Sequence, residues 1–506
     1  MMKHFRILAL ILALVTLLSV FAACEKKPAE TTAEQTTAAE SKEETTADPE
    51  KVLDVEKKNY DADYFLSNCD DVNPMRYYWA DPKKTETDPM YEAVYSRQQK
   101  LQDHLGVTIT VSDAGGFMEY ASLFKTAVKT NSDSVHTLLT HVSSGVPSLV
   151  SEGYLQDFGQ LPGIDLYADH WNSDFMDSLA ISTDNGDYYY LGFSNFNILY
   201  TFVVAFNKQM MEDKAASVLP KSVYQMVTDY EWTVDQMLSL AQLVSEDPSN
   251  DGKTTDDTFG LTGQQWVPWI GLMHASGINY VERDAESGEY RIAMMNDAYK
   301  ERTNTLVSKL KEFSNSKYGF FEFPKGGTIV GCQVPLTSGR TLMQLASTND
   351  LVYFLDSDIT FGVLPYPTFD TNQKYYRSLQ WGGYLTIPSS ISSQARTMVG
   401  ESLEVLSFYS DDVMFTFYEK MLGKQAADVP DDTKMLDIIW DSVCTDFGQT
   451  YSDICGGTLY IFPSVTWPGD GGKELSSTVS GSMEKSGNKA IRKYINAIEK
   501  SIANQQ

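Results

Sequence analysis

The chain has 506 residues, with 40 Lys and Arg against 68 Asp and Glu and a formal charge of −28. An acidic polypeptide with no basic patch interleaved with aromatics repels phosphate backbones, which excludes nucleic acid as a partner. The length suits two or three domains with sizeable cores. Its 29 Tyr, 24 Phe and 8 Trp suit surfaces that hold sugars or peptides, because each ring offers a rigid face with little entropy to lose.

Met1–Arg6 carries Lys3 and Arg6, Ile7–Phe21 is a run of apolar, Thr and Ser residues, and Ala22-Ala23-Cys24 follows. A basic start, an apolar run and small residues make a secretory signal over 1–23. Cys after Ala-Ala resembles the lipobox of bacterial lipoproteins, which implies a lipid on Cys24 and a protein tethered outside the cytoplasmic membrane. An ordinary cleaved signal or an uncleaved anchor are the alternatives. Loss of residues 1–23 removes two basic residues and no acidic ones, leaving 38 against 68 and a charge of −30. Residues 24–58, rich in Thr, Ala, Glu and Lys, bury too little apolar surface to fold and read as a disordered tether. No later apolar run reaches the ~18 residues that span a bilayer.

After Tyr60 short apolar strands alternate with amphipathic helices, the order of an α/β fold with largely parallel sheets. Met90–Leu105 reads as a helix stopped by Gly106, Val107–Val111 as a strand, Glu119–Lys129 as a helix and Val135–Val142 as a strand. Gly145-Val146-Pro147 opens a further helix with Pro near its start. Tyr200–Phe206 is a strand, Thr233 caps a helix to Val244, and Phe361–Pro367 and Trp381–Ile387 are strands before a helix over Gln394–Tyr409. Cys69, Cys332, Cys444 and Cys455 form two disulfides in any of three connectivities, or remain buried thiols.

Four segments in order resemble the extracellular solute-binding lipoproteins of ABC transporters, of the sugar type. They are the lipobox with its tether, Gly145–Asp157, Phe206–Met210 with Trp232-Thr233, and Phe361–Pro367 with Trp381–Ile387. The resemblance implies a two-lobed periplasmic-binding-protein-like fold of type II, with a cleft between lobes and a hinge of crossing strands. It places 59–198 plus 385–415 in one lobe and 199–384 plus 416–506 in the other. Independently, ligands of open α/β sheets bind beyond the carboxyl ends of strands, so facing lobes surround one solute.

Candidate contacts follow from strand ends and crossings. Thr140 and His141 end a strand, the latter as a hydroxyl donor or a structural loop histidine. Asn195, Asn197 and Tyr200 flank the first crossing, where amides suit vicinal hydroxyls or simply make turns. Trp266 and Trp269 flank Pro268 in a loop and resemble a stacking platform for sugar rings. Trp381, Gly383 and Tyr384 form the second crossing, with glycine allowing close backbone approach. Arg340 suits packing or a salt bridge better than ligand contact. Asp247, Ser249, Asp251 and Asp256 resemble a calcium loop of this family, although Thr258 stands where Glu is usual, and a plain acidic turn is the competing reading. No other cofactor is expected.

No His-Glu-x-x-His or Gly-x-Ser-x-Gly occurs, which removes the commonest zinc peptidase and esterase motifs. The expectation is a monomeric, non-enzymatic receptor that captures a carbohydrate, an oligosaccharide before a peptide or other polar metabolite, and delivers it to ABC permease subunits. A surface glycan-degrading enzyme, whose paired carboxylates leave no local signature, and an adhesion or sensory lipoprotein are the alternatives.

Overall fold

The computed structural model describes residues 52–503 apart from 69–74, 85–87, 116–118, 141–144, 198–199, 265–266, 285–286, 323–331, 333, 356, 424–429, 460 and 462–480. The signal, Cys24, Cys69, His141 and Trp266 lie outside the described residues. The folded body begins at Leu53, earlier than the Lys58 boundary read from composition. Val55 is buried and its carbonyl meets His104 Nε2 at 2.7 Å, while Lys58 N donates to the His104 carbonyl at 2.9 Å. Lys58 also pairs with Glu401 at 2.5 Å.

Nine strands carry the architecture: β1 (Ala62–Asn68), β2 (Val107–Asp113), β3 (Thr137–Thr140), β4 (Phe202–Asn207), β5 (Thr258–Gln264), β6 (Gly319–Glu322), β7 (Thr341–Ser347), β8 (Phe361–Leu364) and β9 (Tyr384–Thr386). One sheet has the order β9-β3-β1-β2 and the other β6-β5-β7-β4-β8. In the first, β1 is parallel to β2 and β3, and β9 returns antiparallel with Tyr384 opposite Thr140. In the second, β5 is parallel to β6 and β7, while β4 is antiparallel to both β7 and β8. Every residue of β4 and β7 is buried, the pattern of strands covered on both faces.

Local chemistry explains the segments that stood out in the sequence. Asp88 accepts from Met90 N, Pro89 takes the first turn, and Gly106 at φ 63° closes the helix Pro89–Leu105. Asn207, at the end of β4, caps the helix Lys208–Lys214 through Met210 N at 3.0 Å. Trp232 is fully buried and donates from Nε1 to the Pro365 carbonyl at 2.9 Å, and Thr233 caps the helix Val234–Ala241. Helices Ser393–Phe408 and Asp411–Gly423 pack against Pro89–Leu105, whereas Pro430–Asp441 packs on β8. Cys444 and Cys455 are free thiols, so this close pair is not bridged.

Candidate functional site

The carboxyl ends of β1 and β3 and of β5, β6 and β7 converge on the two segments that link the sheets. Thr201 bridges Gln380, Trp381 N donates to the Tyr200 carbonyl at 2.9 Å, and Gly383 N donates to the Thr140 carbonyl at 2.8 Å. Gly382 and Gly383 have φ of 96° and 72°, a left-handed pair that residues with a Cβ adopt only under strain. The chain can therefore turn out of the crossing and enter β9 without a side chain in the way.

The described candidates at this crossing are mostly interior. Thr140, Asn197 and Tyr384 are fully buried, and Tyr200, Trp269 and Trp381 nearly so. Asn197 holds the two crossings together, its Nδ2 donating to the Gly383 and Gly192 carbonyls. Tyr384 sets its hydroxyl between Thr445 and Thr450, and Asn195, half-buried, donates to Asp411 at 2.7 Å. Trp269 was expected in a loop but lies in the helix Val267–Ala275, packed edge-on to Phe321 at 5.0 Å. The reason is that Pro268 fits a first helical turn and the buried Ile270, Leu272 and Met273 make this an interior helix.

Several polar atoms beside the crossing have no partner among the described residues: Thr262 Oγ1 and Gln264 Nε2 on β5, Trp269 Nε1 and Tyr366 OH. Unmet buried donors of this kind fit a site that is completed by hydroxyls or water. Sequence reading passed over Gln264 and Tyr366, and only the position of Gln264 at a strand's carboxyl end could have signalled it. Phe202 packs between Trp381 and Tyr366, each 5.9 Å away by ring centre.

Asp350 lies just beyond β7, fully enclosed, and accepts from Ser347 N at 2.7 Å and Ser347 Oγ at 2.9 Å as a capping box. Burial pushes its carboxyl up to about 7 against the lowering effect of those bonds. Tyr200 and Tyr366 face it, and their hydroxyls are raised by burial first and by its charge second. A folded pKa above the unfolded value means the folded state binds the proton more tightly. Asp350 should therefore add about 2 kcal/mol of stability as pH falls from 8 to 5, against the buried His136 and His274, whose lowered pKa values act in the opposite sense. Denaturant titrations of the natural chain and of Asp350→Asn across that range, with the difference between them shrinking as pH falls, check this.

A second cluster sits on the loop between the helix Val234–Ala241 and β5. Carboxylate oxygens of Asp247, Asp251 and Asp257 lie within 4.8 Å of one another. Asp257 is 2% exposed, its Oδ2 accepts from Thr254 N at 2.8 Å, and its Oδ1 has no partner among the described residues. Asp256, one of the expected donors, is exposed and stands outside this trio, with Asp257 turned inward in its place. Ser249 Oγ already donates to Asp247 and Asp251, and Gly252 N donates to Asp247 at 3.2 Å. Arg340 braces the loop through the Thr255 carbonyl at 3.1 Å, and Lys253 through the Ser314 and Ser316 carbonyls. Three hard oxygen donors with one buried orphan suit a divalent cation such as calcium.

The family model described as bacterial extracellular solute-binding protein matches residues 98–399, more than half of the chain. Among solved structures, the GacH receptor of Streptomyces glaucescens GLA.O is similar at 15% identity and TM-score 0.50, over 86% of this chain and 98% of that one. An ABC transporter solute-binding protein from Thermotoga lettingae TMO is similar at 14% identity and TM-score 0.50, over 86% of this chain and 100% of that one. These likenesses establish the two-lobed binding-protein fold. No curated protein matches the chain. No helix among the described residues is long and apolar enough to cross a membrane.

Proposed function

The chain belongs to the bacterial extracellular solute-binding proteins, a family of binders and not of enzymes, and from that premise we propose that it captures a carbohydrate, an oligosaccharide by preference, between its lobes and delivers it to the permease of an ABC importer. The observation that carries the carbohydrate reading is the set of unmet buried donors, Gln264 Nε2 and Trp269 Nε1 above all, beside a crossing packed with aromatic rings. Sugar hydroxyls accept from such groups, and closure of two lobes on a bound sugar offers a permease a shape that the empty protein lacks. Cys24 is the lipid-bearing residue in this reading, and it keeps a monomeric receptor at the outer membrane face of its transporter. The acidic loop holds calcium through Asp247, Asp251 and Asp257.

A thermal-shift and calorimetric screen of the chain from residue 24 onward, with Cys24→Ser, tests the solute. Acarbose and tagatose, the ligands of the two fold relatives, are the first compounds, followed by malto-oligosaccharides, peptides and polyols. A sugar present at a hundredfold its Kd is expected to stabilise by about 3 kcal/mol and to be recovered intact. Stabilisation by peptides alone, or sugar breakdown in the same mixtures, overturns the carbohydrate-receptor reading.

A further inference from the structure

A groove of about 590 Å³ opens beside the crossing, where Thr445 in its lining meets the Tyr384 hydroxyl. One wall is Tyr167, Asp177 and Tyr189, the other is Asn279, Glu282 and Arg283, and Arg377, Asp446 and Phe447 form the floor. Its position separates it from the cleft between strand ends. Leu385 of β9 pairs with Leu139 of β3 on one side and with Gly192 on the other. The chain leading into Gly192 supplies Tyr189, so β9 stands between this wall and the ends of β3 and β1.

The lining has a definite chemistry. Asp177, Asp187, Glu282 and Asp446 outnumber Arg283 and Arg377, and Asp446 is set against Arg377, so the free balance is negative and disfavours anions. Asp177 accepts from the Tyr189 hydroxyl at 2.9 Å, and Glu282 accepts from Asn279 Nδ2 at 3.2 Å and from the Tyr299 hydroxyl. Carboxylates and amides in this arrangement exchange bonds with vicinal hydroxyls, which both donate and accept. Tyr167 stands 75% exposed, and the half-buried Tyr290 stacks on Phe447, which is itself stacked on Tyr451, each pair at 4.5 Å, so Tyr290 is the inner ring that fronts the groove. Exposed and inner rings on one polar groove are what a pyranose face needs. Tyr290 also ties the groove shut at its base, donating to the Ala180 carbonyl at 2.7 Å and accepting from Ser182 N at 3.1 Å.

We propose that this groove is a second small-molecule site, separate from the cleft, for a neutral or amine-bearing polyhydroxylated ligand of one or two rings. The volume falls within the range of ordinary small-molecule sites. The proposal stands on its own lining and does not depend on what the cleft binds.

Saturation-transfer NMR on the whole mature protein with maltose and with glucosamine, each up to about 10 mM so that a millimolar Kd is saturated, tests it. Three variants are compared with the natural chain: Tyr167→Ala, Glu282→Gln and, in the cleft, Gln264→Ala. At least one probe should keep its signal in Gln264→Ala and bind about tenfold more weakly in both groove variants, as loss of an aromatic or charged contact predicts. A signal abolished by Gln264→Ala and unchanged in the groove variants overturns the second site while leaving the cleft reading intact. No signal from either probe also overturns the second site, and the oligosaccharide screen then judges the cleft alone.

Discussion

Arg97→Ala is expected to lower the unfolding free energy by about 4 kcal/mol, through lost volume and stranded backbone acceptors. Arg97 lies on the buried face of the helix Pro89–Leu105 and is 1% exposed. Its Nη2 donates to the carbonyls of Tyr77 at 2.8 Å and Tyr78 at 3.2 Å, and its Nη1 to Ser410 Oγ at 2.9 Å. The guanidinium rests 4.5 Å from the ring of Phe196, against which Tyr78 also packs edge-on. One side chain thus joins the segment after β1, the turn between two C-terminal helices and the first crossing. Burial pushes its pKa down to about 9, which leaves it a cation at neutral pH. Its Nε has no partner among the described residues, so the charge is held by two carbonyls, the Ser410 hydroxyl and a ring.

Burying such a cation is costly, and well-packed apolar replacements of buried charges are sometimes neutral. Arg97→Met separates the two contributions, since it restores most of the volume and none of the donors. A loss of about 2 kcal/mol in urea unfolding is expected, from two buried carbonyls left without partners. Equal stability of Arg97→Met and the natural chain would show that the hydrogen bonds only offset the burial of the charge. Because the Phe196 ring beneath the guanidinium belongs to the first crossing, Arg97→Ala should also weaken oligosaccharide binding at temperatures where it stays folded.

The parts of the fold written in short-range chemistry were legible beforehand. Gly106 stops the first long helix by its left-handed φ, Thr233 caps the helix Val234–Ala241 as expected, and the paired glycines at 382–383 marked a crossing. The parallel pairings of β1, β2 and β3 and of β5, β6 and β7 also followed from the alternation of strands and helices, whereas the antiparallel β4, β8 and β9 did not. Burial at the crossing was not legible, because Asn197 and Tyr384 acquire their partners from residues 186 and 61 positions away, Gly383 and Thr445. Trp269 misled for a related reason: a Trp beside Pro looks exposed until its helix is known to be interior. Arg97 reads as an ordinary helical charge, and only the closing of Tyr77, Ser410 and Phe196 over it reveals its burial. In the acidic loop, whether Asp256 or Asp257 joins Asp247 and Asp251 depends on which of two adjacent carboxyls turns inward as β5 begins.

That choice makes calcium the sharpest remaining test. Removing calcium with a chelator is expected to lower the melting temperature of the mature protein, and restoring it at a hundredfold its Kd to return about 3 kcal/mol. The effect arises because Asp247, Asp251 and Asp257 hold their oxygens within 4.8 Å of one another, where like charges repel until a cation joins them. Asp257→Asn should abolish the response, since the buried Oδ1 that lacks a partner becomes part of a neutral amide. The same variant should be more stable than the natural chain in chelator, because it relieves repulsion that the cation otherwise offsets. Asp256→Asn, an exposed change outside the trio, should leave the calcium response intact. A melting temperature indifferent to calcium, or a response lost in Asp256→Asn and kept in Asp257→Asn, rules out this ligand set. Calcium on this loop would fix the entry to β5, whose far end carries Gln264, so its removal should weaken sugar binding far less than it weakens the fold.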